Sequence, residues 1–404
     1  MRKFIVTLGV LLIAVALAGP YFTGKLAEQA VVGNETSIQA SLPPWLELVE
    51  QTFDRGWFSS RSSARLVITD QEKRQQFEQF LDGGTFGDQP AVLIDSVIAH
   101  GPLIGLFTPA IAEIDTAFRT ETSEGGYLPV ELTTTVGFSG DLDMEWRVVD
   151  SAFPSNFGTL GWKGLSVENT LSPTGRNLSV SLTADEFKVE RDNNPITATD
   201  LEVDWISAEA NGQFASSIAL ESDVVAADNP SMSIDLAVGV QEVAVAALPA
   251  FSRIMRTSFS GVNVMNPETM NALEADMRVL LADGFTITMN QALEVSEAPD
   301  GIMQTDLLLT FAGIDTAAGG LDLPGMVEHS ARRGNSAVDM VINQAMVDAL
   351  QARDPLLEQQ FMQMQAAGAL VPAEDGDGYV IDIDYADSLV TMNGLPMPLP
   401  PEAN

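Results

Sequence analysis

The run Leu142-Asp143-Met144-Glu145-Trp146-Arg147-Val148 puts an apolar side chain at every second position and a charged one at each position between. Successive side chains of a strand point to opposite faces, so this alternation specifies a sheet with one dry and one wet side. Working outward, the same period recurs at Leu178-Val180-Leu182, Leu201-Val203-Trp205, Met232-Ile234-Leu236-Val238 and Phe285-Ile287-Met289. Turn signals separate the runs: Pro173-Thr174-Gly175, Asp192-Asn193-Asn194-Pro195, Asn211-Gly212 and Asp228-Asn229-Pro230. Strands joined by such short turns pair antiparallel, because a parallel neighbour needs a crossover of a dozen residues or more. The expected fold is therefore α+β and mainly β: a long antiparallel, curved sheet built as a meander of hairpins, with flanking helices.

The start of the chain has a different character. Arg2-Lys3 precedes the unbroken apolar run Phe4 to Ala18, the layout of a secretory signal. Ala16-Leu17-Ala18 offers a cleavage site before Gly19, whereas extension of the run through Phe22 gives roughly 28 Å of helix, close to a bilayer core. Residues 1–22 are thus expected to be a signal anchor or a signal peptide, the positive charge holding the N-terminus in the cytoplasm. Residues 23–245 are read as the N-terminal part of an exported β-rich domain and 246–404 as its C-terminal α+β part.

Composition narrows the function classes. Acidic residues number 56 against 20 basic ones, a net charge of −36, so a nucleic-acid partner is disfavoured for want of a basic surface. A hydrophobic content of 46% provides for a substantial core. Cysteine is absent, which removes disulfides, thiolate metal sites and cysteine nucleophiles together.

Taken in order, Trp45, Leu48, Val49 and Phe53 are spaced as on one face of a short helix. Arg55-Gly56-Trp57-Phe58 reads as a turn leading into a strand at Ala64–Ile68, and Gln71 to Leu81 as a helix. Ala91 to Ile98 is strand-like and ends at His100-Gly101-Pro102, while Tyr127 to Phe138 gives another strand. Pro267 to Ala282 has a helical apolar face through Met270, Leu273, Met277 and Leu281. Gly301–Phe311 and Ala337–Ile342 follow as strands, then one or two helices over Val347–Ala367 with a break at Asp354-Pro355. Tyr379, Ile381, Ile383 and Tyr385 alternate with Asp382 and Asp384 before the tight turn at Asn393-Gly394 and an extended, Pro-rich tail.

Several of these short motifs occur together in one order: the leader, Gly24 and Glu28, Arg55-Gly56-Trp57-Phe58-Ser59-Ser60, His100-Gly101-Pro102-Leu103 and the acidic closing strand before Asn393-Gly394. In this order the chain resembles the YdgA-like bacterial family (domain of unknown function 945). The resemblance implies a location in the cell envelope and carries no catalytic residues over.

Candidate sites are few. His100, one of two histidines, is a general-base candidate; Gly101, Pro102, Arg55, Gly56 and Trp57 join it as candidates through their motifs. The turn after His100 favours a hydrogen-bonded structural histidine instead. No cofactor and no metal are implied, because two histidines without cysteine make a poor transition-metal set. Glu374-Asp375-Gly376-Asp377-Gly378 lacks the ligand series of a calcium loop. The serines have no Gly-x-Ser-x-Gly elbow, and no carboxylate pair stands out for hydrolysis. The expected function is that of a non-enzymatic protein tethered to the inner membrane, its bulk in the periplasm, with a lipid- or protein-binding groove. A soluble periplasmic form, a carboxylate-dependent hydrolase and a structural homodimer are the alternatives.

Overall fold

The computed structural model describes residues 42, 45–72, 74–75, 91–100, 110–120, 127–155, 158–174, 177–191, 194–226, 231–259, 267–296, 298–314, 323–353, 355–374, 376–386 and 389–397. The leading segment 1–22, Gly101 and Pro102 lie outside them. The chain is mainly β, its strands paired antiparallel in a large sheet that is open rather than closed. It divides into two compact units, Met1–Leu201 and Glu202–Asn404. The expected boundary at 245/246 marks the change from strands to helices within the second unit.

The first unit is a meander. β1 (Leu46–Arg55), β2 (Ser59–Ile68), β3 (Ala91–His100), β4 (Ala112–Thr120) and β5 (Tyr127–Val136) each pair with the next. The next hairpin is a long one, interrupted on both arms. β6 (Leu142–Val148) and β7 (Ser151–Ser155) form one arm; β8 (Gly158–Lys163) and β9 (Ser166–Leu171) form the other. Arg147↔Ser166 precedes the break and Ser151↔Trp162 follows it, so each arm advances by four residues and the register continues. At the interruption the Trp162 indole donates to the Val149 carbonyl at 3.0 Å, and the Gly164 N–H donates to the Asp150 carboxylate at 2.9 Å. β10 (Leu178–Arg191) pairs along both β8 and β9.

One expectation is corrected here. Leu46–Arg55 is a strand, not a short helix. A β-bulge between Leu48 and Glu50 shifts the inward positions from Leu46 and Leu48 to Gln51 and Phe53. That step of three residues mimics helical spacing and hides the period of two. Gln71, Glu72, Arg74 and Gln75 are helical; the rest of the helix expected to run to Leu81 lies outside the described residues.

β11 (Asn194–Ala210) runs through the division between the units. In the second unit β12 (Gln213–Ala226), β13 (Met232–Ala244), β14 (Gly284–Val295), β15 (Ala298–Ala312), β16 (Ser336–Ile342) and β18 (Tyr379–Ala386) pair in succession. The two-residue β17 (Val371–Pro372) and β19 (Leu389–Met392) share the outer side of β18, and β19 pairs β20 (Leu395–Met397). Asn211-Gly212 and Asn393-Gly394 have positive φ at both positions, the geometry of tight hairpin turns whose twist matches the flanking strands.

Five helices of the second unit are described: α1 (Leu248–Phe259), α2 (Pro267–Leu280), α3 (Leu323–Arg333), α4 (Gln344–Arg353) and α5 (Pro355–Ala366). They pack in two groups. Val243, Leu280, Leu281, Phe285 and Met326 centre one core, with Leu248, Phe251 and Ile254 of α1 and Val327 of α3 against it. Val295, Ile342, Met346 and Val347 centre the other, joined by Leu350 of α4 and Phe361 of α5. A bulge in β13 feeds the first core. The ladder steps from Ser216↔Val240 to Phe214↔Val243, and Glu242 takes positive φ, so Val240 and Val243 both reach it despite their odd spacing. Arg253 of α1 holds Asp276 of α2 through two guanidinium nitrogens at 2.6 to 3.1 Å, and this hydrogen bonding raises the Arg253 pKa.

Candidate functional site

In an antiparallel sheet directly paired residues share a face, so the ladders of the second unit can be read across. Ile218 of β12 lies opposite Val238 of β13, which lies opposite Met289 of β14. Met289 faces Leu307, Leu307 faces Val338, and Val338 faces Ile383 of β18. The row ends at Met392 and Leu395 on the last hairpin. Eight consecutive positions on eight strands are therefore apolar. The adjacent row, Leu220, Leu236, Gln291, Thr305, Met340 and Ile381, is apolar apart from one amide and one hydroxyl.

Helices cover this face on either side of the row. The first core reaches Val240, Ile287 and Phe311; the second reaches Met232, Leu293 and Met303. On β14, Ile287 and Leu293 are six residues apart, or ~20 Å at the usual strand rise. Among the described residues, none of the row from Ile218 to Leu395 belongs to either core. The result is an apolar trough across the strands, half-buried in the middle and open at its ends: Ile218 is 48% and Val238 41% exposed, and Leu395 is 65% exposed. Trp205 flanks the Ile218 end, its indole donating to the Ser216 hydroxyl at 2.8 Å. The methionines Met289, Met340 and Met392 give the floor soft side chains that adapt to irregular shapes.

The opposite face is polar. Asn290, Asp306, Asp339 and Asp382 form a row across four strands, with Asp384 beside them on β18. Desolvation raises the Asp382 pKa, and the charges of Asp384 and Asp339 together with a hydrogen bond to Asp384 push it the same way. These carboxylates lie side by side on one face of the strands. Among the described residues no group of three or more His, Asp or Glu side chains is placed to hold a metal ion.

The structure brings His100 to the Arg55-Gly56-Trp57 turn. Ser60 Oγ and His100 Nε2 lie 2.9 Å apart, both residues buried, and the His100 N–H donates to the Phe58 carbonyl at 2.9 Å. Gly56 permits the tight turn, since a Cβ there would stand 2.2 Å from the Ser59 carbonyl oxygen. Trp57 and Phe58 are exposed at its tip. His100 is 3% exposed, and its hydrogen bonds to Ser60 and Phe58 join β3 to the first hairpin. Ser60 is the partner that sequence reasoning missed, because only the register Ser60↔Ile98 brings two residues forty positions apart together. A separate hollow of about 690 Å³ beside α2 is lined by Ala246, Ala275 and Val279, with the Arg278–Glu274 ion pair and Asp283 in its wall.

A sequence model of the family described as "Bacterial protein of unknown function (DUF945)" matches residues 1–206 and 192–400. The chain belongs to this family. The two matched stretches overlap over residues 192–206, which take in most of β11, where the DUF945 chain passes from one compact unit to the next. No curated protein matches the chain. No solved structure matches it either. Among the described residues no helix is long and apolar enough to cross a membrane.

Proposed function

We propose that this DUF945 protein is a non-enzymatic component of the bacterial envelope that binds lipid acyl chains along the trough of its second unit. Residues 1–22 hold it in the inner membrane, with the N-terminus in the cytoplasm and the bulk in the periplasm. The observation that carries this reading is the apolar row from Ile218 to Leu395, which crosses the sheet between two helical cores and joins neither. A long unbranched hydrocarbon fits such a surface, because burial of apolar area needs no directional partner. The basic leader and apolar run support the reading, since a tether there would keep the chain beside a source of acyl chains.

The test is the lipid content of the purified full-length protein, extracted into organic solvent and identified by mass spectrometry. Lipid should accompany the wild-type protein in a fixed molar ratio. Ile218→Glu, which sets a charge in the trough, should lose it, while Ala219→Glu on the polar face should keep it. A lipid-free wild-type protein, or equal lipid in both variants, would overturn the proposal.

A further inference from the structure

The acidic balance of the chain gives any cluster of cations weight, and one such cluster lies beside the trough. α3 ends in the cations Arg332 and Arg333, with the His329 imidazole one turn before them. The Tyr385 hydroxyl donates to the Arg332 carbonyl at 3.0 Å, which fixes this helix end over β18. Tyr385 is two residues from Ile383, so it shares the trough's face, and across the ladders it faces Val390 and then Met397. The Arg333 guanidinium lies 3.5 Å from His329 Nε2. Arg332 also pairs with Glu328 at 2.6 Å, and its side chain keeps 53% of its surface exposed. Met326 and Val327 of the same helix are packed in the first core, so the basic turn is held in place rather than free to swing.

We propose that the ligand of the trough is an anionic amphiphile: its hydrocarbon lies along the apolar row, and its anion sits at the β18–β20 end against Arg332, Arg333 and His329. This rests on the acyl-chain reading above and adds the chemical class of the head. The trough floor contains no charge that would select a head group, whereas the end of α3 supplies cations next to its open edge. A fatty-acid carboxylate and a phospholipid phosphate share this chemistry.

The experiment uses the full-length protein in a non-ionic amphipol and follows quenching of tryptophan fluorescence, to which Trp205 at the far end of the trough contributes. The probes are dibrominated stearic acid at pH 8, its uncharged methyl ester and dibrominated phosphatidylglycerol. The acid or the phospholipid should bind about tenfold tighter than the ester, the ratio supplied by one charge-assisted hydrogen bond. Arg332→Gln with Arg333→Gln should bring the anionic probes to the level of the ester while ester binding is unchanged, which also shows that the variant is folded. Preference for the phospholipid over the acid would identify phosphate as the anion and supports the proposal. Equal binding of acid, phospholipid and ester would overturn the anionic head and leave the trough standing. Absence of quenching by all three would overturn both.

Discussion

Val238 and Val243 lie on the same strand and face the same side of the sheet, yet the structure assigns them different surroundings. Val243 is fully buried in the first core, whereas Val238 sits in the trough with 41% of its surface exposed. Truncation of each to alanine removes the same atoms, worth about 1.6 kcal/mol of transfer free energy at roughly 0.8 kcal/mol per methylene equivalent. At Val243 the enclosed cavity adds to this, and the cost should reach ~2–3 kcal/mol. At Val238 only the buried fraction counts and no closed cavity forms, so about 1 kcal/mol is expected. The assay is pulse proteolysis of the full-length protein in mild detergent across a urea series, which reads the folded fraction at each concentration. A gap of about 1–2 kcal/mol between the two variants is expected. Equal losses would mean that protein packs over Val238 as it does over Val243, and would contradict an open trough.

Other consequences follow from the same contacts. Ser60→Ala leaves the His100 ring buried beside a methyl group, and the loss of this hydrogen bond should cost ~1–3 kcal/mol while lipid content is unchanged. For Asp382 the folded pKa is raised by desolvation and by Asp384 and Asp339, so its contribution favours folding at low pH and is lost as pH rises through the folded pKa. Asp382→Asn should therefore stabilise the protein at neutral pH, and that gain should vanish on acidification; a variant less stable at neutral pH would contradict the charge argument. In cell fractions the protein should stay in carbonate-washed membranes with its leader uncleaved, whereas a mature chain that begins at Gly19 in the soluble periplasm would remove the tether.

Much of the architecture can be read without coordinates because alternation is a local property. Leu142–Val148 and Tyr379–Tyr385 carry their two faces openly, and the Asn-Gly pairs at 211–212 and 393–394 mark their hairpins. Where the period is interrupted, legibility fails: the bulge after Leu48 made β1 look helical. The helix Leu248–Phe259 gives no such signal: its apolar residues Leu248, Phe251 and Ile254 flank Pro249 with no polar cap to announce a start. The trough was legible only in part. Its residues were visible as the dry side of each strand, but which rows the helices cover depends on where α1–α5 dock, and docking is a tertiary fact. The link of Arg332 to Tyr385, across fifty-three positions and through a backbone carbonyl, leaves no trace in residue spacing.

On the acyl-chain proposal, the face through Val238 meets hydrocarbon while the face through its neighbour Ala237 does not. A photoactivatable phenylalanine analogue can be placed at Val238, and in a second protein at Ala237, in living bacteria. After irradiation the full-length protein should carry a covalent phospholipid or fatty-acid adduct from position 238 and none from 237, as intact-mass measurement will show. Adducts of equal yield from both positions, or a protein adduct in place of lipid at 238, would contradict acyl-chain binding in the trough.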